Sequence, residues 1–499
     1  MRKKIFLIFI LIFIKISFVF SQKKIRIISA NSLSFNKSKD GKDFQSLTGK
    51  VTFLHDSVYM DCDTAFYFEK ENSLIAFGNV HILKGDSLNL YSDSLFYDGN
   101  SKIAKIRKNV KLIKKDQVTL TTNFLDFDIN KNVSFYFNGG KSINKDNILE
   151  SEKGFYYNKK NEIFFKKKVK IKNPNYEIFS DTLKYNTNTE ISYFIGPTEI
   201  FSDSNYIYCE NGWYEHKLEI AKLSKNVIYK NQSKKLKSDS LFFDRKKNIG
   251  KAYQNIIIKD TLENIILKSN YAFYKENEDY IMLTDSALLI QVENNDSLFL
   301  SSDTLLSIKK NDSIGDFKIL KAFHKTKIFR SDFQSICDSL VYSLRDSIIQ
   351  FFIEPVIWSS GNQMTAEKIN IKMSNQKIKY IEMINSAFII SKEDSIFFNQ
   401  IKGKKIIANV KDNKLQKIFV NGNGESVYFA KEEEKIVGVN KSESSKMTIF
   451  LNDNKIDKIK FIKKPKATFF PLKDLQEKER TLKNFKCLEN LRPKSKNDF

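Results

Sequence analysis

The chain has 499 residues, with 83 Lys and Arg against 59 Asp and Glu for a formal charge of +24, and it carries only four cysteines and four histidines. So few and such scattered cysteines exclude a disulfide-dense scaffold. The histidines, at 55, 81, 216 and 324, offer no metal-ligand spacing on a helix, so no metal and no cofactor is expected.

In chain order, Arg2-Lys3-Lys4 precedes the apolar run Ile5 to Ile14, and after Lys15 a second apolar stretch ends at Val19-Phe20-Ser21-Gln22. This pattern predicts a secretory signal peptide over residues 1–21, with cleavage after Ser21. Lys15 leaves too short an uncharged run for a comfortable membrane span, an uncleaved anchor being the alternative. No cysteine lies near the cleavage site for a lipid anchor, and no later segment approaches 18 uncharged apolar residues, so a soluble, exported mature chain is expected. Removing residues 1–21, with four positive and no acidic side chains, leaves +20. That excess has two readings: a lysine-rich bias spread over solvated strand faces, or attraction to phosphate-bearing partners. For an exported chain the second reading means anionic lipid or polysaccharide and no nucleic acid, since no arginine-rich tract or nucleic-acid module is present.

From residue 30 a short phrase recurs: a small residue, an acid or amide, a small or aliphatic residue two positions on, then an aromatic. Its clearest copies are Cys62-Asp63-Thr64-Ala65-Phe66-Tyr67, Ser92-Asp93-Ser94-Leu95-Phe96-Tyr97, Ser180-Asp181-Thr182-Leu183-Lys184-Tyr185 and Ser238-Asp239-Ser240-Leu241-Phe242-Phe243. The acid or amide position runs through Asn31, Asp63, Asp93, Asn123, Glu152, Asp181, Glu210, Asp239, Asn270, Asp303, Asp338 and Glu367, spaced by 29 to 35 residues. A fixed period of that size predicts an elongated stack of like units rather than a globular enzyme.

Within a unit, the aliphatic residue three before the acid and the small residue one before it share one face of a strand. Positions two and four after it share the opposite face. A strand with one side buried flips parity only at a bulge or corner, so the phrase marks where the chain passes from one sheet to a second. A fainter phrase 16 residues downstream, Gly78-Asn79-Val80, Lys108-Asn109-Val110, Asn226-Val227 and Asn255-Ile256, reads as the return corner. Polar turn clusters such as Asp98-Gly99-Asn100-Ser101 and Asn186-Thr187-Asn188 separate the two. The expected fold is all-β: an elongated antiparallel two-sheet repeat stack, with a parallel β-helix as the alternative.

From about residue 375 the period decays. Leu415 to Val420 and Ser426 to Phe429, joined by Asn421-Gly422-Asn423-Gly424, read as a hairpin. Residues 472–488, with Leu472, Leu475, Leu482, Phe485 and Leu488 among charges, read as a short amphipathic helix before a loose end.

Catalytic machinery is not evident: there is no nucleophile elbow, no phosphate-cradling glycine loop and no Cys-x-x-Cys. The acids recur once per unit at one corner, which suits a structural role better than a catalytic ladder, so no enzyme and no catalytic residue is expected. Cys62, Cys209 and Cys337 all fill the small-residue slot as compact buried groups and are too far apart for disulfides, whereas Cys487 stands in the tail.

The signal peptide, the Ser-Asp-Ser-Leu-x-Tyr phrase, the Gly-Asn-Val phrase and the block from Gly403-Lys404-Lys405-Ile406-Ile407-Ala408 to Gly438-Val439-Asn440 resemble the OstA/LptA-like proteins of lipopolysaccharide export, especially the long forms of Bacteroidetes-type bacteria. The resemblance covers residues 25–470. It implies a folded antiparallel sheet, a β-taco or β-jellyroll, whose apolar groove shields the acyl chains of lipopolysaccharide or lipid A in the periplasm, free or in association with the outer membrane. It implies a signal peptide over 1–21, OstA-like β repeats over 22–374, divergent β repeats over 375–470 and a helical or disordered tail over 471–499. Lining positions implied are Leu90, Leu95, Val110, Leu112, Leu120, Leu125, Ile171, Ile178, Leu183, Val227, Leu236 and Leu241. Partners implied are other like-folded transport components, or a second copy, docked edge to edge. A β-solenoid scaffold or adhesin, and a polysaccharide-active β-helix enzyme, are the alternatives.

Overall fold

The computed structural model describes residues 24–499 apart from 86–87, 115–117, 203, 294–295, 375–376, 412–413, 434 and 453–454, so the expected signal peptide lies outside the described residues. The chain forms two compact units that divide between Asn188 and Thr189. In each, consecutive strands pair as an antiparallel meander, and every described pairing is antiparallel. The fold is therefore the antiparallel stack and not a parallel β-helix.

A strand such as Leu88–Asp98 is bent in the middle, and the bend has a specific register. Val80 faces Ser92 and Phe77 faces Ser94, so Gly78-Asn79 together oppose the single Asp93. On the next pairing, Lys108-Asn109 together oppose Asn123. Both residues of each pair are left-handed: φ is 74° and 43° at Gly78 and Asn79, and 61° and 49° at Lys108 and Asn109. The same doublet recurs at Lys167-Lys168, Lys225-Asn226, Gln254-Asn255, Asp285-Ser286, His324-Lys325, Asn385-Ser386 and Lys463-Lys464. A left-handed non-glycine residue costs about 1–2 kcal/mol, so each corner needs compensation.

Where the corner residue of the preceding strand is an acid, that acid supplies it. Asn79 Nδ2 donates to Asp63 at 2.8 Å, Asn109 to Asp93 at 2.8 Å, Asn226 to Glu210 at 2.7 Å and Asn255 to Asp239 at 2.8 Å. Where lysine replaces the amide, Lys168 Nζ pairs with Glu152 at 2.7 Å. The main chain joins in, with the Glu152 amide donating to the Lys167 carbonyl at 3.0 Å. The 16-residue offset is thus the distance along the chain between a corner acid and the amide that caps it. The small residue before the acid turns inward. Its hydroxyl, where it is serine, donates across the bend to the carbonyl two residues on, from Ser92 to Ser94, Ser180 to Thr182 and Ser238 to Ser240.

The first unit breaks the pattern at residues 133–157, where two bent strands become four short ones, Val133–Tyr136, Gly140–Asn144, Asn147–Ser151 and Lys153–Tyr157. The Tyr136 ring lies between Gly140 and Gly154, where an added Cβ would come within 2.5 Å and 2.2 Å of it. Its hydroxyl meets Ser151 Oγ at 2.5 Å.

In the second unit the strands lengthen toward the C-terminus, to 19 residues in Lys414–Glu432 and 18 in Lys435–Asn452. The hairpin expected at Asn421-Gly422-Asn423-Gly424 does not form. The strand runs straight through, and Gly422 and Asn423, with φ of 83° and 49°, make another corner. The repeat persists there with Lys404 and Ser445 in the acid slot, the Ser445 amide donating to the Lys463 carbonyl at 3.1 Å. The helix expected over 472–488 is reduced to Glu477–Arg480, because Leu475 and Leu482 turn to the sheet from an otherwise irregular segment.

Asp93→Ala and Asn109→Ala are each expected to destabilise the local rung by about 1 kcal/mol, and the double variant by less than the sum, because they remove the same bond. Native-state hydrogen exchange of the amides from Ile106 to Leu112 reads both numbers, and additive effects would show that the two side chains act independently.

Candidate functional site

The parity flip leaves one face of each bent strand looking into the fold, so the inward residues form cross-strand rows on two walls. In the first unit the row before the corner runs Met60, Ile82, Leu90, Leu112, Leu120, Ser142, Leu149, Ile171 and Ile178, each directly opposite the next. The row on the facing wall runs Ala65, Ala76, Leu95, Ile106, Leu125, Tyr136, Gly154, Phe165 and Leu183. In the second unit the corresponding rows contain Ile207, Tyr229, Leu236, Ile258 and Leu267, and Leu223, Leu241, Ala252 and Ala272. Between the walls, the bend itself is lined by Val80, Val110, Val169, Val227 and Ile256, all at most 1% exposed.

The rows differ in access. Leu95, Val110, Leu125, Leu183, Val227 and Leu241, close to the bend, are buried, as is Leu90. Leu112, Leu120, Ile171, Ile178 and Leu236, farther from it, are half-buried. All twelve residues expected from the sequence to line a groove therefore sit on the inward face, but only these five are partly open to solvent.

The first unit is shut where it begins. His55 Nδ1 and Tyr97 Oη, from opposite walls, are 2.6 Å apart, Phe53 packs on Tyr67 with ring centres 6.1 Å apart, and the Tyr67 hydroxyl donates to the Ile25 carbonyl at 3.2 Å. Burial raises the pKa of both Tyr67 and Tyr97. The closure was not read from the sequence, although Tyr97 holds the recurrent aromatic position.

The opposite outer faces carry the charge. Lysines stand at strand ends on both walls, among them Lys84, Lys102, Lys114, Lys131 and Lys172, beside the mouth of the fold. Lys131 pairs with Asp128 at 3.1 Å and Lys172 with Glu177 at 3.8 Å, and with both lysines largely exposed these pairs carry little energetic weight.

A protein-family model described as OstA-like protein matches residues 22–181 and 215–305, just over half of the chain. The chain belongs to the OstA-like family. No curated protein matches it. Among solved structures, the crystal structure of LptH from Pseudomonas aeruginosa, the LptA-homologous periplasmic component of that organism's lipopolysaccharide transport device, is similar to it at 13% identity and a TM-score of 0.20, over 24% of this chain and 83% of that one.

In this OstA-like protein the recurrent carboxylates are corner acceptors, and the histidines are dispersed. His81 stacks on Tyr91 at 4.6 Å, His216 is 2.9 Å from Ser192 Oγ with its pKa lowered by burial, and His324 pairs with Asp338 at a corner. Among the described residues no cluster of three metal-ligating side chains occurs, and no helix is long and apolar enough to cross a membrane.

The thiols follow their slot. Cys62, Cys209 and Cys337 are free and buried, and burial pushes their pKa values up to about 12, 11 and 12. The raised values keep these thiols protonated and unreactive until the pH approaches 11, whereas Cys487 is exposed. A disulfide reagent at pH 8 is expected to titrate one thiol in the folded protein and four after denaturation. Rapid reaction of a second thiol without unfolding would contradict the packed bend.

Proposed function

We propose that this OstA-like protein is a periplasmic lipopolysaccharide carrier, not an enzyme, which shelters lipid acyl chains between its two walls while lysines at the mouth meet lipid phosphates. The observation that carries this reading is the aliphatic row on one wall, interrupted at Ser142, buried at Met60 and Leu90 and half-open from Leu112 to Ile178. An ordinary packed core has no reason to keep so many large aliphatic side chains of one row half-exposed on the inward side. A solvent-accessible apolar strip bounded by cationic strand ends suits an amphiphile with anionic headgroups.

The ends of the sheet support partners of like fold. Among the described residues, Arg26–Ser29 and Ser32–Lys37 pair only with Asp43–His55, and they carry the exposed side chains Ile28, Leu33 and Phe35. Lys455–Ile462 and Lys466–Pro471 pair only with Lys435–Asn452. Such free edges take up another strand, from a second transport component or a second copy.

Photoreactive residues at Leu120 and Leu236 are expected to crosslink to lipopolysaccharide in living cells, and one at the fully buried Val227 to give at least about tenfold less. Equal labelling at the three sites, or none in well-folded variants, would turn the reading to a scaffold with a closed core. Leu183→Asp places an unpaired charge beside the bend, costs several kcal/mol and is expected to unfold its rung.

A further inference from the structure

The second unit carries a second apolar face, on the outside. Along the strands from Gly315–Arg330 to Phe398–Lys411, the residues Phe329, Gln334, Trp358, Gln363, Ile390 and Gln400 stand directly opposite one another in one row. They alternate with the inward row of Ile328, Ser335, Ile357, Met364, Ile389 and Ile401, so they face away from the interior. Three glutamines in an outer row should be hydrated, yet Gln334, Gln363 and Gln400 are 2%, 7% and 1% exposed. The chain's own C-terminal segment covers them.

The glutamines read its backbone. Gln363 donates to the Lys486 carbonyl at 2.8 Å and accepts from the Leu488 amide at 2.7 Å. Gln400 donates to the Arg480 carbonyl at 2.8 Å and accepts from the Leu482 amide at 2.8 Å. Each side-chain amide thus pairs with the carbonyl of one residue and the amide two residues on, as a neighbouring strand would. Arg492 Nε donates to Gln334 Oε1 at 2.8 Å, and Phe499 packs on Phe299 and Phe329 with ring centres 6.1 and 6.4 Å away. At the other end Leu475 and Leu482 are buried against Phe388, Val427 and Phe429. The segment therefore crosses the strands, running along the direction in which they hydrogen-bond to one another, and ties successive rungs from outside.

Two observations indicate what the tie does. Beneath it, the inward residues are fully buried, and the cavity lined by Met364, Ile381 and Leu415 has a volume of about 10 Å³, no more than a single water needs. In the same unit, at the uncovered rungs, Leu236, Ile258 and Leu267 of the inward row are half-buried. The tie is also imperfect: among the described residues, Trp358 Nε1, Glu479 Oε2 and Arg480 Nε are buried without hydrogen-bond partners, each a cost that seating the segment carries and release relieves.

We propose that residues 475–499 are a releasable brace: seated on the glutamine row, they hold this wall against its partner and keep the last rungs shut, and their release opens that interior to acyl chains. The closure stands on the geometry of the brace, and the ligand class rests on the carrier reading above.

The test uses the full chain with Cys487→Ser and an interior reporter, Ile381→Cys, with and without Gln363→Ala and Gln400→Ala together. Retention of β-content and of slow exchange at the Leu241 amide shows that the variants fold. Release is expected to speed exchange at the Leu482 and Leu488 amides about tenfold and maleimide labelling of the reporter by a similar factor. Unchanged amide exchange would overturn the glutamine seating. Faster exchange with a reporter still protected would overturn the gating. A diazirine-bearing lipid A analogue then reads the ligand: extra crosslinking to residues 364–415 on release supports acyl entry. None there, with crosslinking retained near Leu236, overturns entry alone. Failure at both places defeats the carrier reading while the brace result stands.

Discussion

A pair of left-handed residues set against a single residue on the neighbouring strand is the constraint on which the molecule depends. It is a bulge repeated in register, and a repeated bulge is a fold line. At Gly78-Asn79 opposite Asp93, and at its counterparts along both units, the line turns a flat meander, with two exposed faces, into a pair of walls with an inside. Left-handed lysines at 108, 167, 168 and 225 show that the conformation is imposed by the rung and not supplied by glycine. The acid at the corner of the preceding strand, the amide that bonds to it and the serine that ties the bend hold the geometry against its local cost.

Several otherwise separate features follow. The small residue before the acid points into the narrowest part of the bend, so cysteine serves there as a compact apolar group and its thiol is silenced by burial. Branched aliphatics such as Val110 and Val227 fill the same line from the return strand. Beyond the closed first rungs, where Met60 and Leu90 are buried, exposure rises with distance from the bend: Leu125 and Leu241 are buried while Leu120 and Leu236, of the same chemistry, are half-open. The recurrent acid, which elsewhere suggests a catalytic ladder, has a structural role at Asp63, Asp93, Glu210 and Asp239, where it accepts from the amide of the next strand's doublet.

Much of this was legible in the residues. The period, the parity flip at Asp63, Asp93, Asp181 and Asp239, and the offset of 16 to Asn79, Asn109, Asn226 and Asn255 are properties of side-chain type and spacing, and they identify fold class and inward face together. What was not legible has physical causes. Asn421-Gly422-Asn423-Gly424 reads as a hairpin because two consecutive left-handed residues also make the favoured hairpin turn, and local sequence does not distinguish a turn from a fold line. Lys404 and Ser445 carry no sequence signal of the corner because the slot is defined by backbone position, and any side chain that clears the adjoining doublet can fill it. The tail lost its helix because Leu475 and Leu482 find a partner more than forty residues away, where periodicity within the segment says nothing.

The fold line also governs how such a chain can change length over generations. Inserting one residue between the bend and a hairpin turns every following side chain of that wall inside out, and its neighbours then meet polar groups where they expect aliphatic ones. A change in pairs, or at a hairpin, leaves the inward row intact. The strands that grow from 11 residues at Leu88–Asp98 to 19 at Lys414–Glu432 do so with additional register slips near their tips, at Asn409/Val410 and Ala430/Lys431, which absorb odd residues outside the walls. Wall depth and loop length are thereby the dimensions in which this architecture can change while the line of the bend stays intact.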